Sequence, residues 1–301
     1  MRGTPYVTVI GIGDLGVRVL LRLSEQQRED LKLCAIASDK THIAGHENQF
    51  SAVFVGDAET LGQQSDLHHV IQNGIMFLVI ADTTDAFSAR MVSAITAAEQ
   101  NIVSFALLKG TPKNYIFAIS PRRFAPPPSR RGASGDYIHQ TRAIYMTLEG
   151  LRHQCEIQPE LFADEVDVVV EMAKDIATMS RHNIIGFGVA DMQEALSRPG
   201  KMTAVFGQGN TSEIAVDDLL LAARKSGIDL KRCELAVFSM SGSSNRLSIY
   251  DVNEAPDLMA KKLGRELDAL CGDSLTLLSG PLDDSLGDKL KIFAVFCERR
   301  L

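Results

Sequence analysis

The sequence is poor in the residues that build disulfide-bonded and zinc-binding proteins, and it contains no tryptophan. Its five cysteines stand far apart, with no Cys-x-x-Cys pair among Cys34, Cys155, Cys233, Cys271 and Cys297. An odd number at such spacings argues against a disulfide framework and against a zinc ribbon. The cysteines therefore predict buried free thiols in a reducing compartment.

An excess of positive charge and a long apolar run are also missing. The net charge is −7, so Coulomb repulsion opposes nonspecific attraction to nucleic acid or to an anionic membrane surface. No apolar run reaches the roughly 18 residues of a membrane helix, and the opening MRGTPYVTV lacks the apolar core of a signal peptide. These absences predict a soluble, cytoplasmic protein with no nucleic-acid partner and no direct membrane insertion.

Histidine offers no convincing metal site. The segment THIAGH places His42 and His46 four residues apart, a spacing that can bind metal on one face of a helix. Gly45 lies between them, and no acidic partner is evident in the sequence. The glycine favours a loop, and no metal site is predicted.

What the sequence does contain is a regular alternation of strand-like and helix-like segments. In the first half the apolar runs YVTVIGI, LKLCAIAS, GIMFLVIA and IVSFALL read as buried strands separated by helices. This order predicts an α/β architecture with a largely parallel sheet. Residues 121–136, PRRFAPPPSRRGASGD, break the rhythm, and their proline and arginine content predicts an exposed loop.

The second half begins with a long helix predicted over residues 161–182. Apolar residues at spacings of three and four form one buried stripe, which consists of Phe162, Val166, Val169, Ala173 and Ile176. A second, smaller α/β domain follows, with predicted strands KMTAVFG, CELAVFSM, RLSIYDV, DSLTLLS and KLKIFAVF. Its helices are predicted from a capping box at Asn210 and Glu213, and from Pro256 to Leu270.

The segment VTVIGIGDLG is a G-x-G-x-x-G turn between a predicted strand and a predicted helix. It consists of Gly11, Gly13 and Gly16, and Asp39 ends the next predicted strand. A glycine turn followed by such an acidic residue is typical of NAD binding, because the acid can accept a hydrogen bond from a ribose hydroxyl. One hypothesis is therefore an NAD-dependent oxidoreductase, although it explains nothing in the second half.

The second half carries a different resemblance. LSIYDVNEAPDLMAKKL, followed by GPLDDSLGDKLKIFAVF, resembles the C-terminal domain of FtsZ, the bacterial relative of tubulin, and NIIGFGVADMQEAL followed by GKMTAVFGQG resembles its preceding loop, helix and strand. The chain is identified as a divergent member of the FtsZ/tubulin superfamily. The resemblance implies a Rossmann-like, GTPase-like domain over 1–160, a central helix over 161–182 and an FtsZ-like C-terminal domain over 183–301.

The resemblance also implies where a guanine nucleotide, GTP or GDP, would bind. Its candidate binding residues are Gly11, Gly13, Gly16, Asp39, Thr83, Thr84 and Asp167. The family grips phosphates with a glycine-rich loop whose backbone N–H groups need close approach. Here the matching stretch, IADTTDAFSAR, has no glycine and places Asp82 and Asp85 where phosphates would lie. Either acid, or Thr84, also suits the N-cap of the following helix.

The residues that the family uses for catalysis and base recognition are altered as well. In its hydrolytic loop, Gly186 stands at the asparagine and Gly188 at the first acid, and only Asp191 is retained. The base-recognising pair in the central helix becomes Val166 and Asp167. No catalytic residue is therefore predicted, since positioning for phosphoryl transfer is incomplete.

These changes predict a non-catalytic assembly or regulatory component of a bacterial cytoskeletal or membrane-remodelling system. It would bind no cofactor, or bind GTP or GDP weakly, and its partner would be itself or an FtsZ-like paralogue. A weak GTPase that forms filaments and, less favoured, the NAD-dependent oxidoreductase are the alternatives. The last strand is followed only by a few residues, so no membrane-recruiting linker is expected.

Overall fold

Two sheets organise the chain in the computed structural model. The structure describes residues 7–25, 31–73, 76–82, 85–98, 144–145, 148–178, 184–185, 191, 195, 201–272 and 276–298. The strand predicted as IVSFALL, the loop predicted over 121–136, and the glycines 186 and 188 lie outside these residues, as do Thr83 and Thr84. Within the described part, no helix is long and apolar enough to cross a membrane.

The first sheet is parallel throughout, in the order β3-β2-β1-β4. Its strands are β1 Val7–Ile12, β2 Leu31–Ala37, β3 Ala52–Val55 and β4 Met76–Ala81, and its helices are α1 Gly13–Glu25, α2 Ala58–Gly62, α3 Ser65–Asn73 and α4 Ala86–Ala98. Alternate residues of β1 enter different core clusters, with Val7 and Val9 on one face and Ile10 and Ile12 on the other. Both faces are covered, as expected for a parallel α/β sheet.

The second sheet is mixed, in the order β5-β6-β9-β7-β8. Its strands are β5 Ile144–Tyr145, β6 Lys201–Gly209, β7 Cys233–Gly242, β8 Leu277–Ser279 and β9 Leu290–Glu298. The last strand, β9, lies in the middle and runs antiparallel to both β6 and β7. The helices of this half are α7 Ser212–Lys225, α8 Ile249–Lys262 and α9 Leu267–Cys271.

Helices α5 Leu148–Ile157 and α6 Glu165–Thr178 lie between β5 and β6 in the chain. The predicted apolar stripe of α6 is confirmed, since Val166, Val169, Ala173 and Ile176 are all buried. One core cluster unites this stripe with residues of the first sheet and with residues of the second, such as Phe293 on β9. Helix α6 therefore packs against both halves of the molecule.

The start of α6 corrects the sequence-based prediction. The helix begins at Glu165, four residues later than predicted, because Asp164 caps it. The Asp164 carboxylate accepts hydrogen bonds from the backbone N–H of Val166 at 2.9 Å and of Asp167 at 3.1 Å. These bonds satisfy N–H groups that have no partner within the helix. The predicted end at residue 182 lies outside the described residues.

The predicted strand RLSIYDV is wrong. Ser248 caps α8 by accepting a hydrogen bond from the Asp251 N–H at 3.2 Å, and the Asp251 carboxylate accepts one from the Ser248 N–H at 3.0 Å. This capping box begins a helix at Ile249 in spite of the strand propensities of Ile249 and Tyr250. The single helix predicted from Pro256 to Leu270 is also wrong, because α8 contains Pro256, ends at Lys262 and is followed by α9.

One helix cap differs from the prediction, and one strand was not predicted. Helix α7 is capped by Thr211, whose side chain accepts a hydrogen bond from the Ile214 N–H at 3.2 Å, and not by Asn210. Strand β3 was not predicted. It has only four residues, AVFV, whereas the other strands of this sheet have six or seven, so its apolar run is too short to stand out.

Candidate functional site

The carboxyl edge of the first sheet is the candidate site. In open α/β sheets ligands bind in the loops that follow the carboxyl ends of the parallel strands. Here each of the four strands is followed by at least one aspartate: Asp14 after β1, Asp39 after β2, Asp57 after β3, and Asp82 with Asp85 after β4. The edge is thus acidic along its whole width.

Two glycines of the turn after β1 allow the backbone to pack closely. A Cβ atom on Gly11 would lie 2.3 Å from the Gly16 carbonyl oxygen, and one on Gly16 would lie 2.5 Å from the Ile80 carbonyl oxygen. Real Cβ atoms do not approach other atoms this closely, so α1 can lie against β1 and β4 only with glycine at both positions. The requirement for Gly11 and Gly16 is therefore explained by packing within the protein.

Gly13 lies under the first turn of α4. Its φ of +69° is in the left-handed region that favours glycine. A Cβ atom on Gly13 would lie 2.3 Å from the Ser88 Oγ atom and 3.4 Å from the Asp85 Oδ2 atom. A hydroxyl and a carboxylate of the protein therefore occupy the space directly beside the glycine turn.

Asp85 caps α4, which confirms the capping interpretation for this residue. Its Oδ2 atom accepts hydrogen bonds from the Ser88 N–H at 2.8 Å and from the Ser88 hydroxyl at 2.7 Å. Its Oδ1 atom accepts a longer bond, 3.4 Å, from the Phe87 N–H. The N–H groups at the start of a helix are a common anion site, and here the protein's own carboxylate uses them.

The Asp85 carboxylate is ionised at neutral pH. Partial burial raises the pKa of this carboxyl group, but the hydrogen bonds from Ser88 and Phe87 outweigh burial, so the pKa lies below its usual value. A like charge 4 Å away costs between about 1 kcal/mol in water and about 4 kcal/mol near a protein surface. Since this side chain is largely exposed, screening favours the lower part of that range. A bound phosphate would still lose affinity.

A second carboxylate lies in the same turn. Asp14 forms an ion pair with Arg18 at 3.9 Å and contacts the His42 Nδ1 atom from its Oδ1 atom at 3.3 Å. His42 thus has an acidic partner that the sequence did not reveal, because the two residues come from different loops. Among the described residues, no group of three or more His, Cys, Asp or Glu side chains is arranged to hold a metal ion.

Asp39 and Asp57 are occupied by their own loops. The Asp39 carboxylate accepts hydrogen bonds from the side chain of Thr41 and from its backbone N–H, and these bonds lower the pKa of Asp39. Asp57 caps α2 by accepting bonds from the N–H groups of Glu59 at 3.1 Å and Thr60 at 2.9 Å. Asp57 was missed at the sequence level because β3, the strand before it, was not predicted.

Asp167 lies away from the glycine turn. Arg22 in the last turn of α1 donates hydrogen bonds to Asp167 and, at 3.0 Å, to the Asp164 Oδ2 atom. The second oxygen of Asp167 accepts a bond from the Ala163 N–H at 2.9 Å. Arg22 follows Gly13 by nine residues, or about 14 Å along α1. The carboxylate that the resemblance assigns to base recognition is therefore engaged by the protein itself.

Comparisons of the whole chain with known proteins find similarity in structure only. No family model matches the sequence, and no curated protein matches it. An empty FtsZ dimer from M. jannaschii is similar with a TM-score of 0.68 at 12% identity, over 99% of this chain and 89% of that one. CetZ from Methanosaeta thermophila is similar with a TM-score of 0.61 at 11% identity, over 99% and 88%. TubZ of Bacillus thuringiensis serovar israelensis, in GDP-form protofilaments, has a TM-score of 0.55 at 11% identity, over 97% and 87%.

The chain has the FtsZ/tubulin fold. The similarity extends over both sheets and α6, so it covers the second half that an NAD-dependent oxidoreductase left unexplained. Within this FtsZ/tubulin fold the structure brings together Gly13, Asp14, Asp85 and Ser88 at one edge, and it places Asp167 beside the far end of α1. Asp191 is half-buried with helical backbone, and its neighbours in the predicted loop lie outside the described residues.

Proposed function

We propose that this protein is an FtsZ-like assembly component that does not hydrolyse GTP and binds guanine nucleotide weakly or not at all. It would act in a bacterial cytoskeletal or membrane-remodelling system. The observation that carries the proposal is the Asp85 carboxylate, which lies 3.4 Å from the position of a Cβ atom on Gly13. The FtsZ resemblance assigns the grip on the phosphates to residues 80–90, which include Asp85.

The hydrogen-bond donors at the start of α4 support the proposal. A triphosphate needs several backbone N–H groups that approach it without an intervening Cβ atom. The N–H groups of Phe87 and Ser88 already donate to Asp85, and residues 80–90 contain no glycine. Binding a phosphate would require both the displacement of this cap, which costs about 1 kcal/mol, and tolerance of the nearby negative charges.

The loss of hydrolysis rests on the altered hydrolytic loop. Catalysis of phosphoryl transfer depends almost entirely on positioning and on stabilisation of charge. Gly188 stands where the FtsZ family has an acid, and Asp191 is the remaining carboxylate of that loop. One carboxylate cannot both orient the attacking water and compensate for the missing partner.

An apolar surface at one end of the second sheet supports self-association. This apolar end consists of the exposed side chains of Ile184, Ile214, Ile249, Tyr250 and Leu282. The Ser212 hydroxyl donates to Asp251 at 2.8 Å, which joins the first turns of α7 and α8. A Cβ atom on Gly280 would lie 3.0 Å from Val252 of α8 and 3.6 Å from Ile184, so Ile184 lies close to α8, and Leu282 follows Gly280 by two residues. Grouped exposed apolar residues mark interaction sites.

The similar structures include an FtsZ dimer and TubZ protofilaments. By analogy, the partner at the apolar end would be a second copy of this chain or an FtsZ-like paralogue. Because the Asp85 carboxylate would occupy the region that the resemblance assigns to the phosphates, this association would not depend on GTP.

Phosphate release and light scattering of the purified full chain, with magnesium and with or without GTP, test both parts of the proposal. We expect no phosphate release above the buffer rate, and concentration-dependent scattering that GTP does not change. Tyr250→Ser removes the most exposed member of the apolar end, with 72% of its surface accessible, and should reduce scattering severalfold.

Leu221→Ser is the matched control, because Leu221 is also exposed and apolar but belongs to the middle of α7. Scattering by this variant should equal that of the unmodified chain. Steady turnover of GTP would contradict the non-catalytic part and favour a weak GTPase. Absence of association at any concentration would contradict self-assembly.

A further inference from the structure

Four acidic residues follow one line along α6. Asp164, Asp167, Glu171 and Asp175 are spaced by three, four and four residues, so they lie on the same side of the helix. Asp164 and Asp167 bind Arg22 of α1, which packs on the first sheet. Glu171 and Asp175 bind a cation from the second sheet. The acidic line therefore contacts both halves of the molecule.

The cation from the second sheet is Lys291, in the central strand β9. Its Nζ atom lies 2.9 Å from the Glu171 Oε2 atom and 3.1 Å from the Asp175 Oδ1 atom. Lys291 and Asp175 are almost completely buried. Glu171 also pairs with Lys174 on its own helix. The contact between α6 and β9 thus contains a cluster of four ionisable side chains in a place from which water is largely excluded.

The polar surroundings of Asp175 leave one of its oxygens unsatisfied. The Asp175 Oδ2 atom is buried and has no hydrogen-bond partner. The charged groups that act on Asp175 are Lys291 on β9 and Glu171 and Lys174 on α6. On the sheet side, Ser241 of β7 stands directly opposite Lys291 in the ladder and carries no charge. An ionised carboxylate with an unpartnered buried oxygen is more costly than a protonated one, because burial penalises the charged form most.

We propose that the cluster of Glu171, Asp175 and Lys291 is a proton-sensitive clamp between α6 and the second sheet. When α6 is docked on β9, Asp175 takes up a proton that it would not hold in water. The clamp therefore tightens as the pH falls and weakens as it rises, while Glu171 keeps Lys291 paired in both states.

The direction of the pH dependence and the pH range in which it occurs follow from the pKa values of Asp175 and Glu171. Burial raises the pKa of Asp175 from 3.8 to about 6, against the opposing attraction of Lys291. For Glu171 burial acts in the same direction, but Lys291 and Lys174 outweigh it and lower the pKa to about 2. Of these two carboxyl groups, then, Asp175 is the one that titrates between pH 7.5 and pH 5. If the Asp175 pKa is about 6 in the docked state and 3.8 in the undocked state, the docking equilibrium constant increases about tenfold as the pH falls from 7.5 to 5.

Hydrogen exchange of the full chain between pH 5 and pH 7.5, corrected for intrinsic exchange rates, tests the clamp. Amides of α6 and β9 should gain about tenfold in protection at pH 5 relative to those of β1 and β2. Asp175→Asn should abolish this difference. Glu160→Gln should retain it, because Glu160 pairs with the exposed Lys289, just before β9, and lies outside the buried cluster. An unchanged pH response in Asp175→Asn would overturn the proposal.

A second measurement needs no variant and so does not depend on whether Asp175→Asn folds. Carbon NMR of the unmodified chain labelled at aspartate carboxyl carbons should show a resonance that titrates near pH 6. If every aspartate titrates below pH 5, the clamp is excluded. Both measurements are independent of nucleotide and of assembly, so their failure would leave the proposed function intact.

Discussion

Replacement of Lys291 by methionine is expected to lower the free energy of unfolding by about 3–5 kcal/mol. Methionine keeps most of the apolar stem of lysine but removes the charge. Lys291 is only 2% exposed and lies between Glu171 and Asp175, so its removal leaves the buried Asp175 carboxylate without a paired cation and Glu171 with Lys174 alone. The cost comes mainly from this stranded charge and not from the lost attraction. Urea denaturation followed by circular dichroism measures it.

Lys289→Met is the matched control. Lys289 lies two residues earlier in the chain and pairs with Glu160, but both side chains are substantially exposed. Exposed ion pairs contribute at most about 1 kcal/mol, so this variant should unfold close to the unmodified chain. Adding Glu171→Gln and Asp175→Asn to Lys291→Met should recover much of the loss. If Lys291→Met costs no more than Lys289→Met, the buried cluster does not hold α6 on the second sheet.

Gly16→Ala is expected to destabilise the chain by about 3 kcal/mol or more, beyond the usual cost of overpacking a core. Its Cβ atom would lie 2.5 Å from the Ile80 carbonyl oxygen and 2.6 Å from the Gly11 carbonyl carbon. Both neighbours are backbone atoms of the first sheet, so no flexible side chain can move aside. The helix α1 would have to shift away from β1 and β4. Thermal or urea unfolding detects the effect.

Gly45→Ala separates steric from conformational cost. Gly45 has a φ of +81° but nothing within 4 Å of its Cβ position. Alanine there should cost only the left-handed backbone strain, about 1–2 kcal/mol. A Gly16→Ala variant as stable as the unmodified chain would contradict the explanation by packing and would leave nucleotide binding as the alternative reason for the glycine.

Much of the fold could be predicted because its signals are local. The apolar runs of β1, β4, β7 and β9 and the stripe of α6 are visible within a few residues, and each became the predicted element. Strand β3 was missed because it has only four residues. The start of α8 was misread because Ile249 and Tyr250 favour strands, whereas the capping box of Ser248 and Asp251 decides the outcome.

In the candidate site, too, features that depend on neighbouring residues could be predicted, and contacts between distant residues could not. The absence of glycine after β4 is visible in the sequence, and Asp85 was one of three candidates for the helix cap, with Asp82 and Thr84; the structure selects Asp85. The pairing of Arg22 with Asp167 joins residues 145 positions apart, and that of Lys291 with Glu171 joins residues 120 positions apart. Neither motif nor periodicity encodes such contacts in a single sequence. They require the packed structure, which shows the ion pair of Asp167 with Arg22.

The most direct test of the account is a calorimetric titration of the full chain with GTP and magnesium. We expect no saturable heat up to millimolar nucleotide. The Asp85 carboxylate beside Gly13 would repel the phosphates, and the Phe87 and Ser88 N–H groups that could bind them already donate to Asp85. Saturable binding with a micromolar dissociation constant would show that the turn accepts a triphosphate and would contradict the account.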